Sequence, residues 1–320
     1  MQEILRTTRW VVERSRLVHL DPMAATQSVH LWLGSAVSPP PWDTTCHYHG
    51  EPEAMLSYLL VLDTINFCFW PEEGTKRWEF DFNGQLLSGY HGLASALTQA
   101  MNSGVPLTDA HFLATISCVD LQKILGGSGR LQLLDERAQN LNELGALLLA
   151  RYRGSPCRLV ETAEGSALTL VRMTTEQLNS FQDIACYEGQ HVFFYKRAQI
   201  LAADIYGAFN GTGWGAFSDI RQLTAFADYK LPQVLRHLGV LRYSPELQAA
   251  IDQHILIAPG SAAEVEIRAN TIQAVEMMRQ TAEKQGMVLA AHEIDWLLWN
   301  MGQEEPYREK PYHRTRTVFY

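Results

Sequence analysis

The chain has 320 residues, 47% of them hydrophobic and 19% charged, with a formal net charge of −9 at pH 7. That balance describes a globular protein with a sizeable core and excludes disordered arms. It also leaves no overall basic surface for DNA or RNA, so any nucleic-acid chemistry must act on something small or through a local basic pocket.

A single domain over 1–320 is expected, with two intimately packed lobes, about 1–170 and 171–320, as the other division of the same length. No run approaches the roughly 18 apolar residues of a membrane span. The start, Met1-Gln-Glu-Ile-Leu-Arg6, has no apolar signal region, so a cytoplasmic protein without a membrane partner is expected. The cysteines, Cys46, Cys68, Cys118, Cys157 and Cys186, are widely spaced with no Cys-x-x-Cys pair. Such spacing argues against a disulfide framework or a zinc site and fits a reducing compartment.

Ser38-Pro-Pro-Pro-Trp42 is a loop that no helix interior tolerates. His47 and His49 follow it, and with no further ligand spaced to help they read as core or pocket histidines. From Glu53 to Asp63 the chain is apolar almost all round, as a buried helix or strand would be. Asp63, Asn66, Phe67, Phe69 and Trp70 then fall within eight residues. They form either a core strand ending in a turn or a set of groups for a purine-like base, with carboxylate and amide on its edge and rings on its faces. Arg77 to Gly89 alternates as a β-hairpin with Asn83-Gly84 at its turn, and Tyr90 follows.

Helices then dominate. Leu134, Ala138, Leu141, Leu144 and Leu148 make a core stripe at helical spacing, ending near Gly154, and a weaker amphipathic stretch covers 174–186. In His191–Tyr206, Lys196, Gln199, Ile200 and Ala203 share one helical face, with Asp204 about 80° from Lys196. A lysine on a buried face is either functional or carries its charge to the surface on a buried stem. Ser218, Ser244 before Pro245, and Ser261 with Glu264 are expected helix caps. Ile294–Trp299 reads as a final buried helix, and Tyr312–Tyr320 as a closing strand or extended segment.

The segment Leu223-Thr-Ala-Phe-Ala-Asp228-Tyr-Lys-Leu-Pro-Gln-Val-Leu-Arg-His-Leu-Gly239 carries the strongest chemical signal. Pro232 suits the first residue of a helix, and Gly239 its left-handed end. Asp228 is thereby expected before free N–H groups and the positive helix end, which hold a carboxylate ionised. Asp228 is a helix cap, or it is a fixed anion set among Tyr229, Lys230, Arg236 and His237.

Six blocks in collinear order then resemble the queuosine-salvage protein family: Asp63–Trp70, Ser88–Tyr90, Phe194–Ile200, Phe226–Val234, Glu264–Arg268 and His313–Tyr320. The resemblance implies a mainly helical fold with a small β-hairpin or sheet, similar to helix-hairpin-helix DNA glycosylases around the active site. It implies a queuosine 5′-phosphate N-glycosylase/hydrolase that releases the 7-deazaguanine base queuine for return to tRNA. It also implies a small-molecule substrate and no cofactor. Asp228 stands at the family's catalytic carboxylate and Lys196 at the lysine of the same pocket; the eukaryotic pattern has arginine where this chain has Lys230.

Chemistry extends that set. Lys196 and Arg197 are candidates for the phosphate, with Lys230, Arg236 and His237 beside them, and Lys196 is alternatively the group that sets the Asp228 pKa; Asp63, Asn66, Phe67 and Trp70 are candidates for the base. Tyr90, Tyr229 and Arg268 complete the candidates from within or beside the matching blocks. The rival readings are a non-catalytic binder of a modified base, and a glycosylase acting within DNA, which the acidic charge disfavours.

Overall fold

The computed structural model describes residues 1–34 and 38–320. Among these are fourteen α-helices and three two-stranded antiparallel sheets, so the chain is mainly helical as expected. None of these helices is long and apolar enough to cross a membrane.

Helix Pro52–Thr64 opens on a proline, whose absent N–H is not needed in the first turn. Being apolar on nearly every side, it is buried from Met55 to Thr64. Beyond it, Asn66–Phe69 runs without regular structure yet is mostly buried, which strands its carbonyl groups away from water. Two buried arginines supply the missing donors. Arg137 donates to the carbonyl oxygens of Ile65, Phe67 and Cys68, and Arg197 to those of Asp63, Thr64 and Ser180. Both guanidinium groups also stack on the Phe67 ring, at 4.3 and 5.0 Å from its centroid.

The first hairpin pairs Glu79–Phe82 with Gln85–Ser88. Asn83 and Gly84 take φ of 54° and 82°, as a two-residue turn between twisted strands requires. The leucine stripe forms helix Leu134–Tyr152. The stretch 174–186 departs from expectation: helix Ala167–Gln177 stops there, a 3-10 turn covers Asn179–Phe181, and Ile184–Tyr187 begins a second hairpin with Gln190–Phe193. The Glu143 carboxylate accepts the N–H groups of Asn179 and Ser180, holding the chain out of helix, and Glu188-Gly189 supplies another positive-φ turn. Helix Lys196–Ala208 follows directly.

Ser244 and Ser261 cap their helices by accepting the N–H groups of Leu247 and Glu264. Ser218 does not; its hydroxyl donates to the Gly165 carbonyl. The tail is extended rather than a strand, with one isolated bridge between Leu256 and Arg314 and a bond from Cys68 N–H to the Tyr320 carbonyl. Buried apolar side chains gather in two large clusters. One runs from Cys46 to Phe226, and the other joins Ile4–Trp32 to Tyr187–Leu298. A third, small cluster holds Phe67, Cys68, Trp70 and Leu133.

Candidate active site

Where these clusters meet lies a cavity of about 690 Å³, within the usual range for a small-molecule site. Asn66, Phe67, Tyr90, Lys196, Asp228, Tyr229 and Lys230 line it, so seven of the residues singled out from sequence are brought together.

Asp228 reaches the cavity because of how its helix begins. The helix runs Lys230–His237, two residues earlier than Pro232 suggested, and Pro232 falls at its third position, still in the turn that needs no N–H. Gly239, at φ 76°, closes the other end, with Val240 N–H bonded to Leu235 and Gly239 N–H to Arg236. Asp228 Oδ1 accepts from the N–H groups of Lys230 and Leu231 at 2.7 and 3.0 Å. The cap and the cavity wall are thus one residue: one carboxylate oxygen is fixed by main chain, and neither bond uses the other. The expectation that the helix end alone sets its charge needs correcting. Burial outweighs Lys196 and the two N–H groups, leaving the Asp228 pKa above the ordinary carboxylate range.

Lys196 opens helix Lys196–Ala208 and is buried, so it does not carry its charge to the surface. Burial lowers its pKa, while Asp228, Asp63 and Asp295 oppose that shift. Asp204, two turns along the same helix, also lines the cavity, as does Asp295. One lysine is therefore surrounded by four carboxyl groups, which cannot all ionise in a buried space. Asp63 has no hydrogen bond of normal geometry to either oxygen, and burial and Asp204 push its pKa far up. Burial does the same to Asp295, despite the Phe226 N–H at 2.7 Å. Burial lifts Asp204 to about 7. Asp228, with two N–H donors and Lys196 against its charge, is the member best equipped to stay anionic.

The lining holds two groups of side chains. In one, Trp42 tilts over His47 at 4.2 Å, and Tyr90 and His91 meet the Trp299 ring edge-on at 5.8 and 5.3 Å. Gly207 permits this closeness, since a Cβ there would stand 3.0 Å from Trp42. In the other, Lys230, Arg77, Arg308 and Arg314 gather with Tyr229 and Tyr312, whose rings lie 4.9 Å apart. Burial, with Arg308 beside it, brings Lys230 down to about 8, and Arg77 donates to the Tyr312 hydroxyl.

Five candidates do not line the cavity. Asp63 stands behind its wall among the acids. Trp70 packs in the third cluster, and Arg197 holds loop carbonyls. His237 meets Tyr307 edge-on, and Arg268 is committed to a double ion pair with Asp183, one bond being 2.8 Å, and to Glu264 at 3.3 Å. Arg236 is likewise taken by Asp252 at 2.8 Å.

Arg268 still serves the site. It donates to the Ala227 carbonyl next to Asp228, while its partner Asp183 accepts the Lys196 N–H at 3.1 Å. Asp183→Ala should therefore be destabilising, by up to about 3–5 kcal/mol, since it takes from a buried guanidinium the nearer of its two carboxylates and leaves only Glu264 at 3.3 Å. Urea unfolding reads the loss directly, and a change below about 1 kcal/mol would show that the pair does not hold the two segments.

Asp43, Cys46 and His91 bring donor atoms within 4.8 Å of one another. The thiol donates to Asp43 Oδ2 at 3.3 Å and burial drives its pKa up, which keeps it a protonated donor to the carboxylate rather than a thiolate ligand. Sequence reasoning missed Asp204, Asp295, His47 as a site residue, and the arginines at the mouth. An aspartate inside an apolar run such as Ile294–Trp299 was the one signal that might have marked Asp295.

A helical fold enclosing a nucleotide-sized cavity, with one lysine among four buried acids, defines an enzyme that works on a small molecule. The chain belongs to the queuosine salvage protein family, which it matches over residues 46–320. It is 47% identical over 317 residues to a queuosine 5′-phosphate N-glycosylase/hydrolase of Sphaerobacter thermophilus, covering 99% of this chain and 97% of that one. Proteins of the same name in Dictyostelium discoideum and Bos taurus are 41% and 33% identical. They cover 84% and 98% of this chain, and 79% and 97% of their own.

Proposed function

We propose that this protein hydrolyses the N-glycosidic bond of queuosine 5′-phosphate, releasing queuine for salvage into tRNA. The observation that carries the reading is Asp228, anchored through Oδ1 at a helix start and opening into the cavity beside Lys196. Cleavage at C1′ places positive charge on the ribose, and a fixed carboxylate in a buried site stabilises that charge. Lys196 keeps this acid ionised in competition with its neighbours.

The two groups lining the cavity suit the two ends of the substrate. The exposed arginines 77 and 308, with Lys230 and Arg314, lie at the mouth and fit a 5′-phosphate. The aromatic group fits a planar base with a secondary ammonium. The substrate is accordingly a free nucleotide entering base first, not a base within a polymer, and the free cysteines suit a cytoplasmic setting.

Incubation with queuosine 5′-phosphate should yield free queuine and ribose 5-phosphate by mass spectrometry. Tight binding with the nucleotide left intact would make the protein a carrier instead. Replacing Arg77 and Arg308 by alanine should raise KM for the phosphate by about tenfold or more per arginine. The same change should leave cleavage of the unphosphorylated nucleoside unaltered; equal losses on both would remove the phosphate from the mouth.

A further inference from the structure

Resting on that reading, we infer that Asp204 is a second catalytic residue, linked through Tyr90 to His47 and held as a neutral acid by burial, to donate a proton to the departing base. The argument is a count of hydrogens. His47 Nδ1 faces the Asp43 carbonyl oxygen, which only accepts, so Nδ1 carries a hydrogen. His47 Nε2 lies 2.8 Å from the Tyr90 hydroxyl, which in turn lies 3.2 Å from Asp204 Oδ2. Two links must each hold a hydrogen, and Tyr90 brings only one. The second comes from His47 as imidazolium or from Asp204 as carboxylic acid; a neutral imidazole, a phenol and a carboxylate would leave two lone pairs facing each other.

The surroundings decide between the two. His47 is buried against the Trp42 and Tyr58 rings, with His91 nearby, and burial brings it down to about 4. Asp204 is faced by Tyr90, Lys196, Asp63, Asp295 and the Cys46 thiol, and burial lifts it to about 7 against Tyr90 and Lys196, which favour its anion. The proton therefore rests on Asp204, with Tyr90 donating on to His47.

Asp204 lines the cavity at the end that suits the base. A 7-deazaguanine has carbon at position 7, so the ring nitrogen that would otherwise take a proton is missing and the neighbouring exocyclic oxygen is the acceptor left on that edge. As the C1′–N9 bond breaks, its electron pair moves into the base, and Asp204 turns its Oδ2 proton from Tyr90 to that oxygen, while Tyr90 swings its own hydrogen from His47 to the new carboxylate. Water adds to C1′ and passes a proton to Asp228. The neutral base then shifts its proton to N9, and exchange with solvent returns Asp204 to the acid and Asp228 to the anion.

The sign of the pH effect follows: Asp204 must be protonated, so activity falls as pH rises through about 7. The test measures kcat/KM for queuosine 5′-phosphate from pH 5 to 9, together with the carboxyl ¹³C signals of aspartate-labelled protein. The Asp204 signal is expected to titrate near neutrality and to move in Tyr90→Phe. Asp204→Asn should lose about 10²–10⁴-fold and the alkaline limb with it, while Asp204→Glu restores part of both.

An Asp204 signal ionised throughout this range overturns the inference. So does a variant that loses rate equally at every pH and keeps the wild-type limb. The wild-type titration requires no Asp204 variant to fold, and it stands even if the nucleotide proves not to be cleaved, an outcome that sinks the proposed function instead.

Discussion

Asp228→Asn is expected to lower kcat/KM for queuosine 5′-phosphate on the order of 10⁴-fold, the scale seen when one member of a catalytic group is removed. The fold should survive, because the amide oxygen of asparagine accepts the same N–H groups of Lys230 and Leu231 that Oδ1 does now. Only the negative charge facing the sugar is deleted. Queuine should still bind, since its end of the cavity is untouched. Thermal unfolding, equilibrium binding of queuine and single-turnover release of base read the three parts separately. Near-normal turnover in a folded variant would show that Asp228 is a cap and nothing more.

Lys196→Met tests why Asp228 is the acid that ionises. The lysine is the largest influence lowering the Asp228 pKa against burial, and it lowers those of Asp63, Asp204 and Asp295 as well. Without it every carboxyl in the cluster moves further up. The proposed mechanism needs Asp228 as an anion, so activity should be lost as pH falls through its pKa. Removing the lysine should carry that acid limb to higher pH, so the loss is largest on the acid side and shrinks as pH rises past the displaced limb. The discriminating measurement is the full pH profile. A loss of equal size at all pH values would assign Lys196 to binding the phosphate, and an unchanged kcat/KM would remove it from the site.

What could be read from the sequence was what local rules punctuate. Pro232 and Gly239 framed a short helix, and that frame put Asp228 at its mouth; the error was two residues in where the helix begins. Asn83-Gly84 announced its hairpin, whereas Glu188-Gly189 lacks the Asn-Gly signature and follows a stretch, 174–186, whose spacing reads as an amphipathic helix. Lys196 stood out as a charge on an apolar face. Asp204 shares that helix, yet it lies about 80° around from the lysine, off the face that drew attention. Its partners Tyr90 and His47 are distant in sequence, and nothing local announces that three such groups touch. Arg197 and Arg268 misled for a related reason. Arginine inside a matching block suggests a contact with substrate, but these two are spent on backbone carbonyls and on Asp183. Their competing partners come from other elements and become visible only in the fold.

The pair of guanidinium groups beneath Phe67 has an outcome for how this pocket can evolve. The stretch from Asp63 to Cys68 is gripped by its main chain, through five carbonyl groups held by Arg137 and Arg197. Such a floor is indifferent to which side chains it displays but intolerant of any insertion or deletion, because one residue of slip would misalign every bond at once. Adaptation to a different base should therefore arise by exchanging Asn66 or Phe67 in place, or by remodelling the opposite aromatic wall, with the spacing from Asp63 to Cys68 unchanged.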